Sequence, residues 1–126
     1  MSEQIAFQGI PSPSHNLQYC SQVDPRQRAW LEVNPSAIES NARQIRQLLA
    51  ENCLLMAVVK ADGYGHGAKT VACAALQGGA DSLGIATLQE GIELRQAGIT
   101  VPILLLGNLT KTEELFKCFH WDLMPT

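Results

Sequence analysis

The sequence predicts an α/β protein built on a parallel sheet, and three observations predict it. Leu54 to Val59 and Val101 to Leu106 are unbroken apolar runs, the pattern of strands covered on both faces. Helix-start signals recur at Asn34-Pro35, at Thr87 with Glu90, and at Thr110 with Glu113. Glycines stop the helical stretches at Gly78-Gly79 and at Gly98. Strand and helix in regular alternation imply βα units joined by right-handed crossovers.

Residues 1–28 are rich in Ser, Gln and Pro, include Pro11-Ser12-Pro13-Ser14, and show no periodicity, so a flexible leader is expected there. The folded domain is expected over residues 29–126. Trp30 to Val33 reads as a short strand, with Trp30 a packing residue. Asn34 is a helix cap and Pro35 fits the first helical position; Ile38, Ala42, Ile45 and Leu49 then share one helical face. Leu54 to Val59 is the next strand, ending in Lys60 and a glycine-rich loop. Ala68, Val71, Ala72, Ala75 and Leu76 form a second apolar stripe. Ser82 to Ala86 is a strand, followed by a capped helix that is expected to carry Leu88 and Ile92 inward. Val101 to Leu106 is another strand, with Pro102 tolerable at its start. A helix bearing Leu115, Phe116 and Phe119 follows, and a further strand begins near Trp121.

A closed barrel and an open doubly wound sheet both fit this alternation. A (β/α)8 barrel takes about 250 residues, and the 126 present hold three to four β/α units. The expectation is the N-terminal part of a TIM-type barrel, cut within the barrel, whose edge strands would expose unpaired backbone.

A formal net charge of −3 and the absence of Lys/Arg clusters argue against a nucleic-acid or membrane-surface partner and favour a small-molecule substrate. Cys20, Cys53, Cys73 and Cys118 stand far apart with no metal-ligand spacing, so no metal is expected and the thiols read as reduced. Met1 to Gly9 has neither the basic start nor the apolar core of a secretory signal, and no run approaches the roughly 20 apolar residues of a membrane helix. A cytoplasmic location is expected.

The segment with the most chemical content is Met56-Ala57-Val58-Val59-Lys60-Ala61-Asp62-Gly63-Tyr64-Gly65-His66-Gly67. A lysine at the tip of an internal strand is partly desolvated, which favours the neutral amine that attacks aldehydes. Residues at the C-terminal ends of barrel strands are where catalysis sits in that fold. The glycines let backbone approach a ligand closely. His66 is read as bracing the loop, and Asp62 as holding its turn through a side-chain bond to backbone. Glu90, Glu93, Glu113 and Glu114 read as caps and solvated charges with no pair placed for acid–base work.

Ala57-Val58-Val59-Lys60-Ala61 followed by Tyr64-Gly65-His66-Gly67 resembles the pyridoxal-phosphate attachment segment of the alanine racemases, and Ala29 to Val33 and Val101 to Gly107 extend the likeness. The family more often has Asn or Asp at position 62 and Ala at 63, so Gly63 is a departure expected to loosen the loop. The resemblance implies an isomerase that interconverts L- and D-alanine for peptidoglycan, with pyridoxal 5'-phosphate bound to Lys60 as a Schiff base. It implies that the Tyr64 hydroxyl serves the cofactor phosphate and that Leu106 lines the cofactor pocket. It further implies a barrel followed by a separate β domain, which is absent here. In the resemblance Lys60 is the base for the D-enantiomer, and a tyrosine from a partner subunit of a homodimer serves the L-enantiomer. The 126-residue chain alone is therefore expected to be an inactive fragment.

Two rivals remain at this level. Gly63-x-Gly65-x-x-Ala68 fits a permissive Rossmann-type dinucleotide-binding pattern, although Lys60 and Asp62 put charge where a pyrophosphate would sit. The other is a non-catalytic, racemase-like remnant.

Overall fold

Asn34 opens the first helix, as its residue type requires. In the computed structural model, which describes residues 31–126, helix α1 spans Pro35–Leu48 and the Asn34 side chain accepts the Ala37 N–H at 3.2 Å. Strand β1 is Met56–Val58, and the left-handed turn α2 (Lys60–Gly65) and helix α3 (Ala68–Gln77) lead to β2, Ser82–Ile85. Helix α4 (Leu88–Gln96), strand β3 (Ile103–Leu105), helix α5 (Thr112–His120) and strand β4 (Met124–Pro125) complete the order. Glu32–Thr126 form one compact unit.

The four strands lie side by side in chain order, β1-β2-β3-β4, and every pair is parallel. A dinucleotide-binding sheet of order 3-2-1-4 places its fourth strand against its first. Here β4 pairs with β3, which is how a (β/α)8 barrel is laid down. The architecture is that of the N-terminal part of such a barrel.

Alternation along each strand separates two faces. Ala57, Leu83, Ile103 and Leu123 fall on one level, with Val59, Ile85 and Leu105 above them, and all face the helices. There they meet Ala72 of α3, Leu94 of α4 and Cys118 of α5 in one apolar core. The other face carries Met56, Val58, Leu104, Leu106 and Met124, and is open: Val58 is 38% exposed and Met124 51%. At the N-terminal ends of the strands two arginines pin the turns. Arg95 donates to the carbonyls of Ile99, Val101, Trp121 and Asp122, while Arg46 donates to the Cys53 carbonyl and the Asp81 carboxylate.

Several expectations are corrected. Trp30 and the leader lie outside the described residues, and residues 31–33 form no strand: among the described residues β1 pairs with β2 alone. Ile45 is 49% exposed rather than inward; α1 buries Ala42 instead, against Gly78. In α4 the core residue is Leu94, with Gly91 buried beneath Leu123 and Ile85, whereas Ile92 is only half-buried. The α5 cap falls one residue later than expected: the Glu114 carboxylate, not Glu113, accepts the N–H groups of Thr110 and Lys111 at 3.0 and 3.1 Å.

Candidate functional site

The site is built where β1 and β3 end. Strand β1 stops at Val58, and the Val59 N–H still bonds the Gly84 carbonyl at 2.8 Å, so Lys60 stands just past the ladder rather than as its last residue. Val59 leaves extended backbone with ψ of 21°, so Lys60 lies at the C-terminal end of β1, as Leu106 lies at that of β3.

Lys60 is half-buried. Its amine has no hydrogen-bond or ion-pair partner among the described residues. Leu106, 43% exposed, lies over Gly84 on the open face: a Cβ built on Gly84 would meet Leu106 Cδ1, Met56 Sδ and Val58 Cγ2, each at 3.3 Å. The missing side chain at Gly84 thus lets Met56, Val58 and Leu106 close over it as one apolar patch on the open face, at the end of the sheet where Lys60 stands. Gly107 is required here for another reason, because a Cβ on it would fall 2.0 Å from the Ala86 carbonyl oxygen. Only glycine lets the β3 end cross the β2 end this closely.

After Lys60 the chain does not form the open loop expected. Ala61, Asp62, Gly63 and Tyr64 all adopt left-handed dihedrals, with φ of 51, 53, 63 and 57°. Three of the four carry side chains, for which that conformation costs about 1–2 kcal/mol each, so the turn must be held from outside. Its own bonds supply part of this: the Gly63 N–H donates to the Val59 carbonyl at 2.9 Å and the Gly67 N–H to the Asp62 carbonyl at 2.8 Å. Asp62 Oδ1 accepts the Ala68 N–H at 2.7 Å, capping α3. His66 Nδ1 lies 3.1 Å from the Gly63 carbonyl, in a bracing position. Gly63 is buried rather than loose, and a Cβ on it would come within 2.9 Å of Val71 Cγ2. The Asp62 carboxylate occupies the α3 N-terminus, where a dinucleotide-binding fold would seat its pyrophosphate.

Tyr64 projects from this turn, 57% exposed, and its hydroxyl has no partner among the described residues. Thus Lys60 and Leu106 share one end of the sheet, with Tyr64 on the turn that leaves it.

Sequence reasoning missed part of the role of Glu90. It does form the capping box with Thr87, the Thr87 N–H donating to Glu90 Oε2 at 3.0 Å and the Glu90 N–H to Thr87 Oγ1 at 3.3 Å. The same carboxylate also accepts the Ala86 N–H on Oε2 at 2.8 Å and, on Oε1, the Ala61 N–H at 2.7 Å. The Thr-x-x-Glu spacing signals the cap but holds nothing that points to Ala61, 29 residues earlier.

Cys53, Cys73 and Cys118 are free thiols. Among the described residues no three His, Cys, Asp or Glu side chains gather as a metal set, and no helix is long and apolar enough to cross a membrane.

Residues 33–126 match the family model described as alanine racemase, N-terminal domain. The chain is 68% identical over 106 residues to an alanine racemase of Prochlorococcus marinus, covering 84% of this chain and 28% of that protein. It is also similar to the crystal structure of alanine racemase from E. faecalis, with TM-score 0.71 and 42% identity over 74% of this chain and 25% of that one. The alanine racemase from Bacillus anthracis with bound L-Ala-P gives TM-score 0.74 and 38% identity over 77% and 25%. The chain therefore spans about a quarter of the length of these proteins. With the family model matched from the start of α1 to the end of β4, and the lysine, the glycine turn and the strand order falling inside the match, the chain belongs to the alanine racemase N-terminal domain family.

Proposed function

We propose that this chain supplies the lysine-bearing part of an alanine racemase, with Lys60 as the residue that binds pyridoxal 5'-phosphate and moves the substrate's α-proton. The observation that carries the reading is a lysine amine with no partner among the described residues at the C-terminal end of β1, on the sheet end where Met56, Val58 and Leu106 form an apolar patch over Gly84. The patch, with Leu106 43% exposed, offers an apolar surface for a flat aromatic ring, and the exposed Tyr64 hydroxyl, which has no partner among the described residues, suits a phosphate oxygen. When bound, pyridoxal 5'-phosphate supplies the electron sink that makes an amino acid's α-proton acidic.

The residues of this chain then have distinct roles. Lys60 Nζ would hold the cofactor and would take or return the substrate's α-proton on its own face. Tyr64 would hold the phosphate end, and Leu106 with Val58 and Met56 would keep water from the ring. Inversion requires a second proton-transfer group on the opposite face. The family resemblance gives that role to a tyrosine of a partner subunit, so the enzyme acts as a homodimer on alanine in this reading.

The test is borohydride reduction in the presence of pyridoxal 5'-phosphate, followed by peptide mass spectrometry. The pyridoxyl label is expected on Lys60. In the protein as its gene encodes it, Lys60→Ala is expected to abolish the label and lower racemisation by about 10²–10⁴-fold or more. Labelling of Lys69, Lys111 or Lys117 in place of Lys60, or full activity of the variant, would refute the assignment.

A further inference from the structure

Three non-glycine residues in left-handed conformation directly after Lys60 persist only if the surroundings over-determine them. Every hydrogen bond that fixes the turn comes from within residues 59–68, with one exception: Glu90, on α4 beyond the next strand, accepts the Ala61 N–H at 2.7 Å. Its other oxygen accepts from Ala86 and Thr87 at 2.8 and 3.0 Å. One half-buried carboxylate therefore ties the residue after the lysine to the end of the adjacent strand.

We propose that Glu90 is a positioning residue for Lys60, its carboxylate clamping the Ala61 amide so that the lysine backbone is held at the C-terminal end of β1, on the sheet end it shares with Leu106. The proposal rests on the reading of Lys60 as the cofactor lysine. A charge-assisted bond of this kind is stronger than a neutral one, and it acts at the first residue of the strained turn. Capping of α4 is separable from clamping, because the cap uses Oε2 and the clamp uses Oε1.

That separation makes the two roles distinguishable by mutation. Glutamine at an N3 position still caps a helix, but it has a single acceptor oxygen, so Glu90→Gln keeps the bonds to Thr87 and Ala86 and turns an NH2 toward Ala61. Thr87→Ala does the reverse, removing half of the cap and leaving the clamp. Both variants are made in the protein as its gene encodes it. Measured are the ¹⁵N–¹H signal and exchange rate of the Ala61 amide without cofactor, the thermal midpoint, and the pyridoxal 5'-phosphate concentration that half-saturates borohydride labelling of Lys60. Glu90→Gln is expected to speed Ala61 exchange and raise the half-saturating concentration by about tenfold each, with a near-parental midpoint. Thr87→Ala is expected to lower the midpoint and leave both Lys60 readouts within about twofold of the parent. Unchanged Ala61 exchange and labelling in Glu90→Gln overturns the clamp while leaving Lys60 as the cofactor lysine. Equal losses in both variants assign Glu90 to stability alone and also overturn it. If the parent protein takes no label on Lys60, the functional reading itself falls and the clamp's purpose with it.

Discussion

Ala61, Asp62 and Tyr64 show how a single segment can be costly locally and still be kept. Their left-handed conformation would be abandoned in a free peptide, and it persists because bonds from Asp62, His66 and Glu90 converge on it. The chain leaves β1 abruptly here, and Lys60 sits at the strand end with no partner for its amine among the described residues. The thiols are placed differently from this lysine. Cys118 is fully buried between α5 and the sheet, and burial first, then the negative charge of Glu114, pushes its thiol above the ordinary cysteine range. Cys53 is exposed. In the native protein at neutral pH an iodoacetamide label is expected on Cys53 and not on Cys118, with Cys118 labelled only after denaturation. Peptide mapping checks this, and rapid native labelling of Cys118 would show that α5 does not seal the core.

Among the elements, α5 is the one whose anchoring depends most visibly on charge. The Thr110 N–H, then the Lys111 N–H, donate to the Glu114 carboxylate and hold its pKa below the ordinary glutamate value. A carboxylate with a lowered folded-state value stabilises the fold above its unfolded value, and that contribution is lost as pH falls through the folded one. The start of α5 is therefore expected to loosen in acid, below the usual glutamate range, and Glu114→Gln to flatten that dependence. Amide exchange at Thr110 and Lys111 across an acid titration measures both. The elements also show where sequence patterns were sufficient. The Asn34 and Thr87 caps and the glycine stops needed only their neighbours in sequence, and they fell where expected. The α5 cap slipped by one residue because Glu113 and Glu114 both lie within reach of a preceding threonine, and spacing alone does not choose between adjacent carboxylates.

For the whole molecule, the two ends of the sheet divide the labour. Arg46 and Arg95 bind loop carbonyls at the N-terminal ends of the strands, and the lysine, the glycine turn and Leu106 gather at the C-terminal ends. The apolar face opposite the helices is open, and β1 and β4 each have one edge without a partner among the described residues. Unpaired edges and apolar area of this kind promote association. The 126-residue polypeptide expressed by itself is expected to shift to larger species as its concentration rises, as followed by size-exclusion chromatography with light scattering. A monodisperse monomer at all concentrations would show that this face and its edges are covered.

The sequence by itself determined the α/β class and the alternation of strands and helices from α1 onward, and it singled out Lys60–Gly67 as the segment with the most chemical content, because unbroken apolar runs, caps and that segment are local and need no partner to be read. The tertiary structure decided what depends on distant residues meeting. It set β4 beside β3 and so favoured a barrel over a dinucleotide-binding sheet. It buried Leu94 in place of Ile92, since helix phase is fixed by what lies beneath. It also brought Glu90 to Ala61, a bond formed across two β/α units that no spacing along the chain could announce.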